Sequence, residues 1–504
     1  MNQSQYIRPL FTCGAFNAKA QTALMYNTAR GECYSFEGVS ALLVRELLAT
    51  PRVGAIDIPH IASVTGTTID DVETFLHDLL LPVGLVSDQV LSDEAWQQFR
   101  KANPPSIAAV GYEPEDDYQK SLPEPLRVKL VFELTYACSE CCLHCFNEGA
   151  ARSDLHEEHR IMPGMLRLED YKRLIDEAVE LGIPQVTVTG GDPFSHPDCW
   201  AILDYLHEKN LAVNLQTNAL ALDSSEKIRR IARFGLRQFS VSVYSADAVV
   251  HDQITRRPGS WQRSMQALEE LARWPVPLNI KTPVFRLNTS TYYGVRRMAQ
   301  ALSAENEITC GLIPGADGDM SIIEHLQPSA DALRIILMDP RQRESVPADG
   351  QPDGYEVGQE RGFPCSANAL ITVTPTGGVK SCGNINIVYG RVPQSPLRAV
   401  ICSDQRQRLI HSEQQRLMPG CGAHDYCRYC KPPCFAGKKY EQHADGSISF
   451  EAMTADDCLM AKARMAVCRQ LQQNHHPLGG QSVETCLNAL PVEEVPVFRK
   501  KIVR

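Results

Sequence analysis

The stretch ELTYACSECCLHCFNEG, residues 133–149, places four cysteines within eight positions: Cys138, Cys141, Cys142 and Cys145. It closes an alternating run, VKLVFEL, whose Val128, Leu130, Phe132 and Leu134 share one face, the period-2 pattern of a strand. Cys138, Cys142 and Cys145 stand in C-x3-C-x2-C spacing, with Phe146 behind the third. Three soft thiolates on one loop suit three irons of a 4Fe–4S cube and leave the fourth iron open. Zinc would need a fourth nearby ligand; His144 and Cys141 are close in sequence, but adjacent positions point apart.

Downstream, the pattern repeats as strand and helix. LEDYKRLIDEAVELG sets Leu168, Tyr171, Leu174, Ala178 and Leu181 on one helical stripe before a glycine stop. Candidate strands follow at QVTVT, LAVNLQT, RQFSVSVY, LNIKTPVF and EITCGLI, each beside a helical segment. Six such units predict an α/β fold, a partial (β/α)6 TIM-like barrel over residues 126–345. Chemistry in such folds sits in loops at the carboxyl ends of the strands, where the cysteine loop lies.

The chain has 504 residues, 43% hydrophobic and 22% charged, which predicts several globular domains. A net charge of −10 disfavours nucleic acid or an anionic membrane as the main partner. No apolar run reaches the length of a transmembrane helix, and MNQSQYIRPLFTCGAF lacks a signal-peptide layout, so a cytoplasmic protein is expected. Eighteen cysteines without a secretion signal point to metal or redox chemistry rather than disulfides. Scattered ones such as Cys13, Cys33 and Cys199 read as small buried hydrophobes.

The cysteine loop resembles the signature of the radical S-adenosylmethionine (radical SAM) superfamily. That resemblance implies an open iron chelated by SAM, which is cleaved reductively to methionine and a 5′-deoxyadenosyl radical. It also implies an electron donor such as flavodoxin or ferredoxin. TGGDPF, residues 189–194, is similar to the family's Gly-Gly-Glu-Pro-like turn, so Gly190, Gly191, Asp192 and Pro193 are expected at SAM, with Asp192 in place of the commoner Glu. Thr217 and Asn218 of LQTNAL, Ser242 of VSVYSAD and Phe146 complete the expected SAM contacts; Tyr244 stands where the family has an acid. Within HDQITRRPGSW, residues 251–261, Arg256 or Arg257 either meets the SAM carboxylate or lies in an exposed basic turn.

A third block, residues 363–470, follows a linker at 346–362 and precedes a tail at 471–504 that carries no readable chemistry. Cys365, Gly377 and Cys382 are similar to the start of the SPASM extension, and Cys421, Cys430, Cys434 and Cys458 fit its later grid. The resemblance implies two auxiliary 4Fe–4S clusters, the first held by Cys365, Cys382 and Cys434, the second by Cys421, Cys427, Cys430 and Cys458. His424 occupies the grid position that Cys427 misses by three residues, and thiolate suits iron–sulfur ligation better than imidazole. A zinc ribbon is the alternative for this block.

Residues 1–100 open with TALMYN and ECYSF, a β-hairpin pattern, then GVSALLVRELLA and TIDDVETFLHDLLLPVGLV, a capped helix leading to a short strand. This winged-helix-like layout resembles the peptide-recognition module of ribosomal-peptide biosynthesis (PqqD-like). The resemblance implies that a precursor's leader adds beside Cys33–Phe36 and packs on the helix Ile69–Leu81. Asp70, Asp71, Glu73 and Asp78 disfavour a DNA-binding winged helix. Five prolines in residues 101–125 read as a linker.

The combined expectation is a radical SAM peptide maturase that installs an intramolecular cross-link, carbon–carbon or thioether, in a ribosomally made peptide. No protein acid or base is required for the first step; the catalytic set is the cluster and SAM. The alternatives are a peptide epimerase, with Cys310 the candidate hydrogen donor, a sulfatase-type maturase or small-molecule enzyme, and a non-catalytic iron–sulfur redox protein.

Overall fold

A computed structural model describes residues 5–103, 113–147, 163–315, 320–342, 345–352, 369–384, 387–408, 424–430, 440–442, 448–450, 458–473 and 475–490. Strands β1 (Thr12–Asn17), β2 (Thr22–Asn27) and β3 (Glu32–Glu37) form a three-stranded antiparallel sheet. The expected hairpin is β2–β3, paired in register from Thr22↔Glu37 to Asn27↔Glu32. Helices α1 (Gly38–Ala49), α2 (Ile58–Thr65) and α3 (Ile69–Thr74) bury Leu43, Val44, Ile61 and Val72 on one face of this sheet with Met25 and Ala23. Thr68 and Asp71 make a reciprocal capping box at the start of α3, and the helix runs on as a wider π turn over Phe75–Leu80. The strand expected after it does not form; Ser87 makes an isolated bridge to Ile7 instead.

The large sheet contains the six expected parallel strands: β4 (Lys129–Glu133), β5 (Gln185–Thr189), β6 (Ala212–Thr217), β7 (Gln238–Ser242), β8 (Leu278–Pro283) and β9 (Glu305–Thr309). Between them lie α6 (Leu168–Glu180), α7 (Cys199–Glu208), α8 (Ser225–Arg233), α9 (Ala248–Thr255), α10 (Ser260–Leu271) and α11 (Tyr292–Ala301). Six strands were expected, whereas among the described residues the sheet has nine. β10 (Leu370–Val373) pairs parallel to β4 across the free edge, and β11 (Gly378–Lys380) and β12 (Gly390–Arg391) continue antiparallel. Chain order hid this, since β10 joins β4 from more than two hundred residues away. Gly377 makes the β10–β11 turn: its φ is +81°, and a Cβ there would sit 2.0 Å from the Val392 carbonyl oxygen.

The expected linker 101–125 is corrected in part: Glu113–Ser121 forms a helix, α5. Its Glu115 is buried and accepts from Gln185, Lys129 (3.2 Å) and Arg237 (2.9 Å), while Tyr118 donates to the Gly182 carbonyl at 2.9 Å. Its proline and acidic composition resembles a linker and hides two buried anchors.

These partners share a position. Gly182, Gln185, Lys129 and Arg237 stand at the amino ends of the parallel strands, and the remaining contacts of the N-terminal module fall there too. Arg8 donates to the Asn210 side chain at 2.6 Å, and Asn210 returns a bond to the Leu48 carbonyl at 2.8 Å. Arg52 reaches the Phe234 carbonyl at 3.1 Å, and Arg100 of α4 (Asp93–Ala102) reaches those of Trp274 and Leu302. The module therefore seats on the end of the sheet opposite the cysteine loop.

His207 lies in this seam, its Nδ1 donating to the Phe234 carbonyl at 2.9 Å. Burial, with Arg52 and Arg8 nearby, holds its imidazole down at about 4. An imidazole kept neutral by folding contributes stability above its unfolded value near 6.5, and that stability is lost as pH falls toward 4. We expect the melting temperature to fall from pH 7 to pH 5 less steeply in His207→Asn than in the parent; equal slopes would show that another group carries the acid sensitivity.

Candidate functional site

The carboxyl ends of β4–β7 converge. After β4, Gly191 N–H donates to the Thr135 carbonyl at 2.6 Å and Asp192 N–H to the Ala137 carbonyl at 2.9 Å, so the Gly-Gly-Asp-Pro turn is zipped to the entrance of the cysteine loop. A Cβ on Gly190 would lie 2.3 Å from the Thr135 oxygen, and one on Gly191 2.4 Å from the Ala137 oxygen. Only glycine allows this approach.

Asp192, expected at SAM, has a buried carboxylate that also bonds within the protein. It accepts from Thr217 Oγ1 (2.6 Å), Asn218 N–H (2.9 Å) and Phe194 N–H (3.0 Å), clamping the β5 turn to the end of β6. Thr217 is committed to the same clamp. Asn218 extends its side-chain amide toward Ser139 Oγ (3.2 Å) and Cys138 Sγ (3.7 Å). Pro193 is buried at the start of a short 3-10 turn, and Phe146 is half-buried at the end of the loop.

The loop is held from the opposite side by α9, whose terminal carbonyls at Thr255 and Ile254 each accept at 2.9 Å from Cys141 N–H and Leu143 N–H. Arg256 ends α9 in the left-handed conformation, and Asp252 organises the following turn through Gly259 N–H (2.6 Å), Trp261 N–H (3.0 Å) and Ser260 Oγ (2.9 Å). The HDQITRRPGSW segment thus supports the cysteine loop.

Cys138 and Cys142 are pushed well above the ordinary thiol range, mainly by burial, then by nearby carboxylates, with Cys145 adding to both. Three thiols within electrostatic reach cannot all ionise without a cation, which is the condition an iron–sulfur cluster meets. No three His, Cys, Asp or Glu side chains among the described residues converge as a single-ion site requires; the thiolates of a four-iron cube stand further apart. The donor set fits a cluster.

Two neighbours of Cys142 have no role assigned from sequence. Glu140 Oε2 accepts from Cys142 Sγ at 3.5 Å, and burial pushes this carboxyl up to about 8. Tyr244 Oη lies 3.8 Å from Cys142 Sγ, with Ser242 nearby on the other side. The Tyr244 ring packs edge-on to His144 at 4.6 Å and stacks on His251 at 5.3 Å. Nothing in the local pattern marked Glu140; the tyrosine in place of the family's acid was the one available signal.

Cys310 is placed elsewhere. It is buried with Val284, Tyr292, Leu333 and Ile336, and Gln342 donates to its sulfur at 2.9 Å. Cys142 packs instead with Tyr244, Ile254, Phe285 and Ile322. The structure does not bring Cys310 into the loop's surroundings.

The profile of the radical SAM superfamily matches residues 132–286, which begin in β4 and contain the loop and the clamp just described. The chain carries a radical SAM domain. Among relatives of this chain, the AdoMet-dependent heme synthase of Methanosarcina barkeri is 26% identical over 326 residues, 60% of this chain and 89% of that protein. Mycofactocin maturase MftC of Mycobacterium tuberculosis is 29% identical over 217 residues, 43% of this chain and about half, 52%, of the relative. The PqqA peptide cyclase of Ruegeria pomeroyi is 24% identical over 287 residues, 55% of this chain and 74% of that protein.

In the C-terminal block, Cys382 follows β11, whose buried Lys380 pairs with Glu133 of β4 at 3.4 Å. Cys427 is buried, whereas His424 is exposed and stacks on Tyr426. The turn Asp425–Tyr429 packs on the helix Leu459–Gln472, which begins just after Cys458; Arg464 of that helix donates to the Tyr429 carbonyl at 2.7 Å. Cys365, Cys421 and Cys434 lie outside the described residues. Cys13, Cys33 and Cys199 are buried, as expected of small hydrophobes. Among the described residues no helix is long and apolar enough to cross a membrane.

Proposed function

We propose that this radical SAM enzyme modifies a ribosomally made peptide, which it captures by its leader on the N-terminal module. The observation that carries this reading is the outer edge of β3, which has no strand partner among the described residues. Gly14 N–H reaches out of the sheet to Asn210 and sets the alternation of strand bonds; carried across β2, it turns the backbone of Cys33, Ser35 and Glu37 outward. Phe36 meets Phe75 at 6.0 Å beside this edge, and Ile69 and Leu79 are 50% and 57% exposed, giving apolar contacts for a strand added there. Names of relatives, a mycofactocin maturase and a peptide cyclase, favour a peptide substrate.

When bound at Cys138, Cys142 and Cys145, the cluster would supply reductive cleavage of SAM and a radical able to take a substrate hydrogen. The chain's own residues pin the loop between Thr135, Ala137 and α9, and present the Asn218 amide to the thiolates. In the C-terminal block, Cys365, Cys382 and Cys434, with Cys421, Cys427, Cys430 and Cys458, are the ligands we assign to two auxiliary clusters; the burial of Cys427 and exposure of His424 favour the thiolate. Such clusters would take up the electron left when an oxidative cross-link, our first choice of product, closes.

The module and the loop occupy opposite ends of strands five or six residues long, a span of about 17–20 Å. Adding roughly 10 Å for the module's own sheet, a leader held on β3 needs about ten extended residues before the modified position. Ser35→Pro tests the capture. It removes one outward N–H at an edge where proline is tolerated, so leader affinity should fall about tenfold with the fold intact. Fluorescence anisotropy with labelled peptides from short reading frames beside the gene measures it, and unchanged affinity would remove β3 as the docking edge. Mass spectrometry of the products separates a loss of two hydrogens, a cross-link, from deuterium uptake without mass loss, an epimerisation.

A small-molecule substrate is the second reading, favoured by the longer match to a heme synthase. It predicts turnover without any peptide and no effect of Ser35→Pro.

A further inference from the structure

We infer that Tyr244 is a positioning residue that hydrogen-bonds the Cys142 thiolate and thereby raises the reduction potential of the SAM-binding cluster. The inference rests on the cluster assignment to the cysteine loop. The hydroxyl lies 3.8 Å from Cys142 Sγ, and a thiolate bound to iron has no hydrogen to give, so the tyrosine is the donor. Ser242, two residues earlier at the end of β7, lies close enough to favour charge on the tyrosine oxygen, and its O–H can donate there and so direct the tyrosine's own hydrogen toward sulfur.

The ring has little freedom to turn away. His251 stacks on one face at 5.3 Å with 27° between planes, and His144 packs edge-on at 4.6 Å. The Tyr244 backbone is held at both groups: its N–H donates to His251 Nδ1 at 3.2 Å, and its carbonyl accepts from Asn288 Nδ2 at 2.7 Å. His251 and Asn288 are themselves fully buried. Hydrogen bonds to cluster sulfurs withdraw charge and favour the reduced state, and burial keeps water from replacing the donor. Asn218 at 3.7 Å from Cys138 Sγ acts in the same direction on a second ligand.

The test is potentiometry of the anaerobically reconstituted full chain, following the reduced-cluster signal by electron paramagnetic resonance, with iron and sulfide measured on the same samples. C-terminal clusters are silenced in the background by alanine at Cys427 and Cys382, so that one signal is read. Tyr244→Phe should load the same iron and shift the midpoint to a more negative potential; Ser242→Ala should shift it the same way by less. A loaded Tyr244→Phe protein with the parent's midpoint overturns the inference. If Tyr244→Phe fails to load, Ser242→Ala decides alone, a parent-like midpoint overturning the inference and a negative shift upholding it. Failure of the parent itself to bind iron would instead overturn the cluster assignment, so the two are distinguishable.

Discussion

Cys142→Ala is expected to reduce SAM cleavage to background, while the neighbouring Cys141→Ala retains most of it. Cys142 is inside the thiol set, packed against Tyr244, Ile254 and Phe285 and electrostatically coupled to Cys138 and Cys145. Cys141 has its backbone N–H tied to the Thr255 carbonyl, and successive side chains on an extended loop diverge. Three thiolates are needed to hold a cube with one iron free; with two, the cluster is not retained. The measurement is 5′-deoxyadenosine released from reduced, reconstituted protein, with iron counted in parallel. Loss of Cys142 should cost roughly four irons. Equal loss of activity in both variants would overturn the ligand assignment.

The second large effect is on stability. Arg296 of α11 donates from Nη1 to Asp339 Oδ1 at 2.8 Å, its Nη2 lies 2.7 Å from Oδ2, and both residues are buried. Tyr292 Oη lies 3.4 Å from the same carboxylate, and Arg341 N–H donates to it at 3.1 Å. The segment it anchors runs on to Ser345, whose carbonyl receives Arg464 at 2.6 Å from the helix beside Cys427. Arg296→Met removes one partner and leaves a buried charge, an expected loss of about 3–5 kcal/mol. In thermal unfolding of the cluster-free protein, at about 2.1 cal/mol/K per residue over 504 residues, that corresponds to a fall of about 3–5 °C. Arg296→Met with Asp339→Leu should recover most of it, because an apolar pair of similar volume needs no compensation. A shift of about 2 °C or less in the single variant would mean that water reaches the carboxylate.

The sequence by itself determined the chemistry-bearing parts that are local. Cysteine spacing, the Gly-Gly-Asp-Pro turn and the six alternating strands each need only a few adjacent residues, so the loop and its place after β4 were legible. The capping box at Thr68 and the β2–β3 hairpin were legible for the same reason. Tertiary structure decided what depends on residues far apart in the chain. β6 brings Thr217 and the Asn218 N–H against the Asp192 carboxylate, a clamp that no local pattern marks. Cys310 looked available until α11 and the helix Ala330–Ile336 closed an apolar layer over it. The linker became α5 because Glu115 and Tyr118 find partners at the amino ends of β4, β5 and β7. Tyr244 acquired a role only when α9 folded back and set His251 against its ring. Short-range pattern sets which groups a loop carries; long-range packing sets which of them remain free to meet a ligand, because a buried polar group must first satisfy its own hydrogen bonds.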